Sequence, residues 1–126
     1  SKVQQYEDSI NFAKGILLTA DDVLGNVYDT LVTVKEKLVE AANAHSDGEY
    51  QTLKQELLEL KNRLLQYANT RVGDYYIFAG NKYNSQPFDA DGNYSGGEND
   101  FYIKVSDKDS SILFADGSQA FGNGTS

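Results

Sequence analysis

The hydrophobic positions in the first half of the chain repeat in alternating steps of three and four residues. One row runs without a miss through twelve positions: Val3, Tyr6, Ile10, Ala13, Leu17, Ala20, Leu24, Val27, Leu31, Val34, Leu38 and Ala41. A second row follows it: Tyr50, Leu53, Leu57, Leu60, Leu64 and Tyr67. A 3.5-residue period is typical of a coiled-coil seam, in which each apolar side chain packs between side chains of a facing helix. The two rows therefore predict two long helices.

A helix boundary separates the two rows. Ser46 is followed three residues later by Glu49, which is the spacing of a capping box, so we expect Glu49 to accept a hydrogen bond from the Ser46 backbone N–H. The first helix is predicted over residues 2–44 and the second over residues 47–70. A connection this short makes the two helices antiparallel neighbours.

The two predicted helices differ in length, at roughly 60 Å and roughly 35 Å for a rise of 1.5 Å per residue. The second helix can therefore cover only the C-terminal part of the first. We expect the early seam residues, from Val3 to Leu17, to have no partner in this chain. Ile16, Val23 and Tyr28 flank the seam and widen the apolar surface, which indicates a bundle of more than two helices.

The second half of the chain is rich in Gly, Asp, Asn and aromatic residues. Strands are predicted at residues 75–79, 101–105 and 111–115, with a turn at residues 107–110 and a loop at residues 122–126. Asp91-Gly92 lies at the centre of residues 88–94 and predicts a two-residue hairpin turn. The predicted fold is mainly α: a long antiparallel helical hairpin (residues 1–72) forming an incomplete bundle, with a small β region (residues 73–126) packed at its end.

Composition narrows the classes of function. The net charge of −8 and the pI of about 4.4 disfavour nucleic acid and anionic membranes as partners. The chain has no Cys, no apolar run long enough to span a membrane, no signal-peptide pattern and no initiator Met. We expect it to be part of a longer protein.

The sequence offers little chemistry for catalysis or metal binding. The only His, His45, lies in the interhelix turn beside Ser46, which is better used as a helix cap. Asp89, Asp91, Asn93 and Asp100 have calcium-loop spacing, but Tyr94 occupies the position that requires Gly. No catalytic residue, metal site or cofactor is predicted, although sugar stacking on the many aromatic residues remains a distant alternative.

Several segments resemble one protein family. Residues 64–80 read LLQYANTRVGDYYIFAG, residues 39–43 and the capped turn precede them, and residues 86–88 and 117–122 follow. Together they resemble hook-associated protein 3, the flagellin-like family that forms the junction between the flagellar hook and the filament. The resemblance implies a helical rod with a short β region, here a central fragment that lacks both terminal regions.

The resemblance also implies partners and a location. The implied partners are other flagellar axial proteins (hook-associated protein and flagellin), further copies of the chain in a ring or tube, and an export chaperone. The implied location is the extracellular flagellum, after export by the flagellar type III apparatus. The residues expected to form the packing seam, between helices or between subunits, are Val3, Tyr6, Ile10, Ala13, Leu17, Leu24, Leu31, Leu38, Leu53, Leu57, Leu60 and Leu64.

Two other functions stay open at this stage. The chain could be flagellin or another axial flagellar protein, because these share the helical core. It could also be a helical adaptor or chaperone-like binding module whose open seam takes up a partner helix.

Overall fold

The computed structural model describes residues 1–99, 101–104, 110–114 and 117–121. Its elements, in chain order, are α1 (Lys2–Ala42), α2 (Asp47–Ala68), β1 (Arg71–Val72), β2 (Tyr75–Tyr76), β3 (Phe101–Lys104), β4 (Ser110–Phe114) and α3 (Gly117–Phe121). The strands form two separate antiparallel ribbons, β1 with β2 and β3 with β4. The predicted fold class, a long helical hairpin followed by short antiparallel strands, is confirmed.

Side-chain caps define the turn between α1 and α2. The hydroxyl of Ser46 accepts a hydrogen bond from the Glu49 N–H at 3.2 Å, as the capping box predicts. The Glu49 carboxylate accepts from the His45 N–H at 3.2 Å, one residue before the predicted partner. Glu49 therefore links the interhelix turn to the first turn of α2. The two hydrogen bonds satisfy backbone N–H groups that would otherwise lack a partner at the start of the helix.

The face that α1 buries differs from the predicted seam. The buried residues of α1 are Ala13, Ile16, Val23 and Thr30, and those of α2 are Leu53, Leu60 and Ala68. Leu24, Leu31 and Leu38, which we expected beneath the second helix, are exposed. Thr30 can occupy a buried position because its hydroxyl donates to the Asn26 carbonyl at 2.8 Å. The packed side of α1 is thus centred on the heptad row of Ile16, Val23 and Thr30.

The segment that follows α2 covers part of α1 that was expected to lack a partner within the chain. Ile77 and Phe78 form one buried cluster with Ala13, Ile16 and Val23 of α1. Ala13 therefore has an intramolecular partner, contrary to the expectation. Other early residues of the predicted seam, Val3, Ile10 and Leu17, stay exposed.

The predicted strand at residues 75–79 is shorter in the structure. Only Tyr75–Tyr76 pairs, with Arg71–Val72. Gly73, at φ 60°, begins the connecting turn, as the first position of a type II′ turn requires. The Ile77 N–H donates to the Thr70 carbonyl at 3.1 Å, one position beyond the Arg71–Tyr76 pair and in the same register. Beyond this bond the chain leaves the ribbon and forms a buried turn. The remaining apolar residues of the predicted strand are therefore buried without belonging to a strand.

The turn at Asp91-Gly92 is also longer than predicted. Phe88 and Tyr94 form an isolated antiparallel bridge, and the Gly92 N–H donates to the Asp89 carbonyl at 3.0 Å. A two-residue type I′ turn needs positive φ at both central residues. Among the described residues, positive φ occurs only at glycines, Gly92 being one of them with φ 84°. The loop therefore spans residues 89–93.

Among the last described elements, the two strands were predicted correctly and the short helix was not. β3 and β4 match the predicted strands apart from their ends, while residues 105, 107–109, 115 and 122–126 lie outside the described part. Residues 117–122 were assigned to the β region, but Gly117–Phe121 is helical. The Phe121 ring packs edge-on against Phe78, with centroids 5.0 Å apart, and against Phe88, at 5.7 Å. This aromatic contact packs the short helix against the core.

Candidate assembly surface

A continuous row of apolar side chains on α1 faces away from the core. It consists of Val3, Ile10, Leu17, Leu24, Leu31 and Leu38, which we call the α1 stripe, and its members are 44 to 68 % exposed. Residues seven apart lie about 10.5 Å from each other along a helix, so the stripe extends over about 50 Å. Because an α-helix has 3.6 residues per turn, the row drifts by about 20° per heptad, or about 100° over its five heptads, and so winds slowly round α1.

Further apolar residues widen the α1 stripe on one side. Leu18, Tyr28, Val32 and Val39 are all exposed, Tyr28 at 68 % and Leu18 at 60 %. Isolated exposed apolar residues are ordinary on a protein surface, whereas contiguous ones mark interaction sites. The sequence places these ten residues on neighbouring positions of one helix, so they form a contiguous apolar surface.

The structure divides the predicted seam residues into three groups. Ala13, Leu53 and Leu60 are buried inside the chain, while Tyr6, Leu57 and Leu64 are half-buried. The six residues of the α1 stripe are exposed. Sequence reasoning treated Ile16 and Val23 as flanking positions and did not single out Thr30. The seven-residue spacing of Ile16, Val23 and Thr30 was the available signal. Because Thr30 and Lys37 are polar, that row looked less apolar than the row that forms the α1 stripe.

An ion pair links the two helices beside the buried face. The Lys37 ammonium lies 2.7 Å from Glu56 Oε2 and 3.5 Å from Glu40 Oε2. The hydrogen bond to Glu56 raises the pKa of Lys37, and the negative charges of Glu56 and Glu40 act in the same direction. Since the pair remains partly exposed, water and salt screen it, and its contribution to stability is small.

The Asp89 carboxylate organises its own turn. It accepts hydrogen bonds from the backbone N–H groups of Asp91 and Asn93, each at 2.9 Å, and from the Asn93 side-chain amide at 3.2 Å. These bonds, that from the Asn93 N–H above all, lower the pKa of Asp89. The carboxylate thus has a structural use in the loop whose spacing had suggested calcium, while Asp100 lies outside the described residues.

Other kinds of site find little support in the described part of the chain. It contains no group of three or more His, Asp or Glu side chains arranged to hold a metal ion. His45 is exposed in the interhelix turn. No described helix is both long and apolar enough to cross a bilayer. The α1 stripe is therefore the most developed candidate surface.

The solved structures that share this fold include three flagellar proteins. FlgL of Bacillus cereus matches with a TM-score of 0.83 and 28 % identity over 95 % of this chain and 60 % of that one. Flagellar hook-associated protein 3 of Legionella pneumophila matches with 0.79 and 25 % identity, over 93 % of this chain and 37 % of that one. A Vibrio parahaemolyticus protein described as flagellar hook-associated has a TM-score of 0.82, and at 16 % identity, over 93 % of this chain and 55 % of that one, it supports the fold alone.

The fold is that of the flagellin-like structural proteins of the bacterial flagellum. Within that class the chain resembles flagellar hook-associated protein 3, also called FlgL, in both fold and sequence, which confirms the predicted resemblance. The chain spans less than two thirds of the length of these proteins. No family model matches the sequence, and a comparison with curated proteins finds no match.

Proposed function

We propose that the protein is a structural component of the bacterial flagellum that joins the hook to the filament. The α1 stripe carries the proposal, because a helix that exposes apolar residues over about 50 Å requires another surface to cover it. The resemblance to hook-associated protein 3 supports the choice of this assembly. The names of the similar proteins favour a hook-associated protein over flagellin itself.

The proposed mechanism is lateral packing of helical rods. The α1 stripe retains the seven-residue spacing of a coiled-coil seam, so a neighbouring rod can insert its own side chains between successive stripe residues. Fully burying an exposed Leu side chain contributes about 1.5–3 kcal/mol. The six stripe residues are 44 to 68 % exposed, so each contributes part of that figure, and their sum must also offset the cost of association. The β region would add contacts to adjacent subunits, and repetition of the contact would form a ring or tube.

The exposed α1 stripe also has a consequence for the export of the protein. An exposed apolar surface of this size promotes aggregation before assembly. A chaperone that holds the chain before export would prevent this, in keeping with passage through the flagellar type III apparatus to the cell exterior. The similar proteins are flagellar structural proteins, which points to a function without catalysis.

The location of the protein tests this proposal. The protein would carry an epitope at an exposed loop position such as Ser85, and isolated hook–basal bodies would be gold-labelled and imaged by electron microscopy. A strain expressing the untagged protein is the control for antibody background. We expect label at the distal end of the hook. Label along the filament would support flagellin instead, and label on neither structure would overturn the flagellar assignment.

A further inference from the structure

α1 changes its packing partner part of the way along its length. Its earlier residues Ala13, Ile16 and Val23 belong to the buried cluster that includes Ile77 and Phe78. Those two residues lie beyond α2, in the segment that follows the β1–β2 ribbon. The N-terminal part of α1 is therefore held by the β region.

The later part of α1 is held by α2. Val27 lines one concave surface together with Leu64 and Ala68 of α2. Further along, the Lys37 ammonium pairs with Glu56. Val27 also packs against the buried cluster of the β region, so the change of partner falls close to it.

Gly25 lies in α1 at this change of partner, two residues before Val27. It is about two and a half turns from the fully buried Ile16, which places it on the outer side of the helix. Among the described residues, a Cβ atom added at Gly25 would meet nothing beyond its own stretch of helix within 4 Å. The packing of the described chain therefore does not require glycine here, although glycine disfavours a helix relative to alanine.

Side chains weaken the helical hydrogen bonds that follow Gly25. The Thr30 hydroxyl donates to the Asn26 carbonyl at 2.8 Å, and the Thr33 hydroxyl donates to the Asp29 carbonyl at 3.3 Å. Each hydroxyl competes with a backbone N–H for a carbonyl of the helix, and bonds of this kind bend helices. Exposed glycine acts in the same direction, because water reaches the backbone where no side chain covers it.

We propose that α1 is jointed at residues 25–33, so that the hairpin changes its angle to the part of the chain packed on Ile77 and Phe78. α2 ends at Ala68, which lines the same concave surface as Val27, so α2 does not extend past the joint as a second rigid rod. The α1 stripe does cross the joint, and bending changes the angle between its two halves. The inference goes beyond the proposed function and does not depend on it.

Gly15 is a matched control within the same helix. As at Gly25, an added Cβ atom would meet nothing described within 4 Å beyond the helix itself. However, Ala13 and Ile16 on either side of Gly15 are held by one buried cluster. A bend at Gly15 would break that packing, so the joint requires the change of partner as well as the glycine.

Residual dipolar couplings measured by NMR on the purified chain test the joint. Backbone couplings of residues 12–24 and of residues 34–42 are fitted separately in the native chain, in Gly25→Ala and in Gly15→Ala. A joint lets one segment reorient relative to the other, so the two segments should align to different degrees in the native chain and in Gly15→Ala. In Gly25→Ala the two degrees of alignment should converge. Both substitutions favour helix, so neither variant should unfold.

Amide hydrogen exchange gives a second readout at the joint. In a regular α-helix the Asp29 N–H donates to the Gly25 carbonyl, so it exchanges when the joint opens. The difference in helix propensity between Gly and Ala should slow Asp29 exchange about fivefold in Gly25→Ala. Gly15→Ala should leave the Asp29 rate unchanged.

Four results would overturn the inference. Equal alignment of the two segments in the native chain would mean that α1 is one rigid rod. Equal degrees of alignment along different directions would show a fixed kink instead of a joint. A difference that persists in Gly25→Ala would place the motion elsewhere. Asp29 exchange that both substitutions slow equally would assign the effect to the helix as a whole.

Discussion

Gly80 occupies a backbone conformation and a space that other residues do not tolerate. Its φ is 57°, and a Cβ atom there would lie 2.6 Å from the Asn99 carbonyl oxygen. Both the left-handed backbone and the contact with fixed backbone oppose a side chain. Gly80→Ala should therefore lower the free energy of unfolding by about 1–3 kcal/mol, measured by urea denaturation.

Gly25 is the matched control for that substitution. It lies inside α1, and an added Cβ atom would meet nothing within 4 Å. Because alanine restricts the unfolded chain and has the higher helix propensity, Gly25→Ala should raise stability by up to about 1 kcal/mol. If both substitutions moved the unfolding midpoint in the same direction, the packing of Asn99 against Gly80 would be contradicted.

The Asp89 turn predicts a particular dependence of stability on acid. Hydrogen bonds from the Asn93 and Asp91 backbone hold the pKa of Asp89 below its usual range. A carboxyl whose pKa is lower in the folded state than in the unfolded state stabilises the fold above the unfolded pKa. That stabilisation is lost as pH falls through the lowered value. The unfolding free energy should thus decline as pH falls below about 4.

Asn substitutions isolate this contribution. Asp89→Asn removes the ionised acceptor, so its stability should change less with pH across the acidic range. Asp91→Asn, in the same loop, leaves the Asp89 hydrogen bonds in place and should keep the native dependence. The measurement is denaturant unfolding at a series of pH values between about 2 and 6. If the unfolding free energy of the Asp89→Asn variant fell with pH as steeply as that of the native chain, the Asp89 turn would be ruled out as the source of the acid dependence.

At the scale of elements, adjacent residues on α1 have opposite environments. Ile16 is 0 % exposed, while Leu17 is 54 % exposed. Removing a buried Ile side chain costs about 2–5 kcal/mol, because it loses contacts and leaves a cavity. Ile16→Ala should therefore be strongly destabilising in the isolated chain, and Leu17→Ala should lie within about 0.5 kcal/mol of the native stability.

Thermal and urea unfolding of these two variants determines which face of α1 packs within the chain. The sequence analysis expected Leu17 to lack a partner within this chain and placed Ile16 beside the seam, whereas the structure leaves Leu17 exposed and buries Ile16. A large loss at Leu17 with a small one at Ile16 would contradict the structure, because it would mean that the seam row packs within the chain and the Ile16 row does not. Equal losses would mean that α1 packs within the isolated chain on both faces.

The helices could be predicted from the sequence more completely than their packing. Ser46 and Glu49 are local signals, so the turn and the helix starts were predictable. The buried face was not, because Ile16 and Leu17 are both apolar members of seven-residue rows. Which row faces inward depends on Ile77 and Phe78, about sixty residues further along the chain. Periodicity within a helix contains no information about such distant partners.

The β region was less predictable for a related reason. Residues 75–79 have strand-like composition, yet Ile77 and Phe78 pack against α1 beyond the ribbon. The turn at Gly80 is stabilised by Asn81, whose N–H donates to the Asn99 carbonyl at 2.9 Å. Gly117–Phe121 is too short for a periodic signal and folds against Phe78 and Phe88. These segments obtain their structure from tertiary contacts, which override local propensity.

At the scale of the whole molecule, the hairpin is an incomplete bundle. α1 has one face buried by α2 and the following segment, and a second face, the α1 stripe, left exposed. A helix with apolar residues on so much of its circumference is typical of a bundle interior. The expected seam was therefore a mixture of two surfaces, and the exposed one is the basis of the proposed junction function.

The most direct test of the central claim places charge on the α1 stripe. Leu17→Glu with Leu31→Glu would be compared with a polar-face variant, Gln5→Glu with Asn26→Glu, at exposed positions of α1 outside the apolar surface. Each protein would be expressed in a strain that lacks the native one, and circular dichroism of the purified variants would check that both fold. The measurement is the amount of each protein retained in isolated flagella, determined by immunoblot.

We expect the stripe variant to be lost from the flagella, together with filament attachment to the hook, because charge cannot be buried between packed rods. The polar-face variant should be retained at the native level. Retention of a folded stripe variant equal to that of the polar-face variant, with filaments attached, would contradict the account.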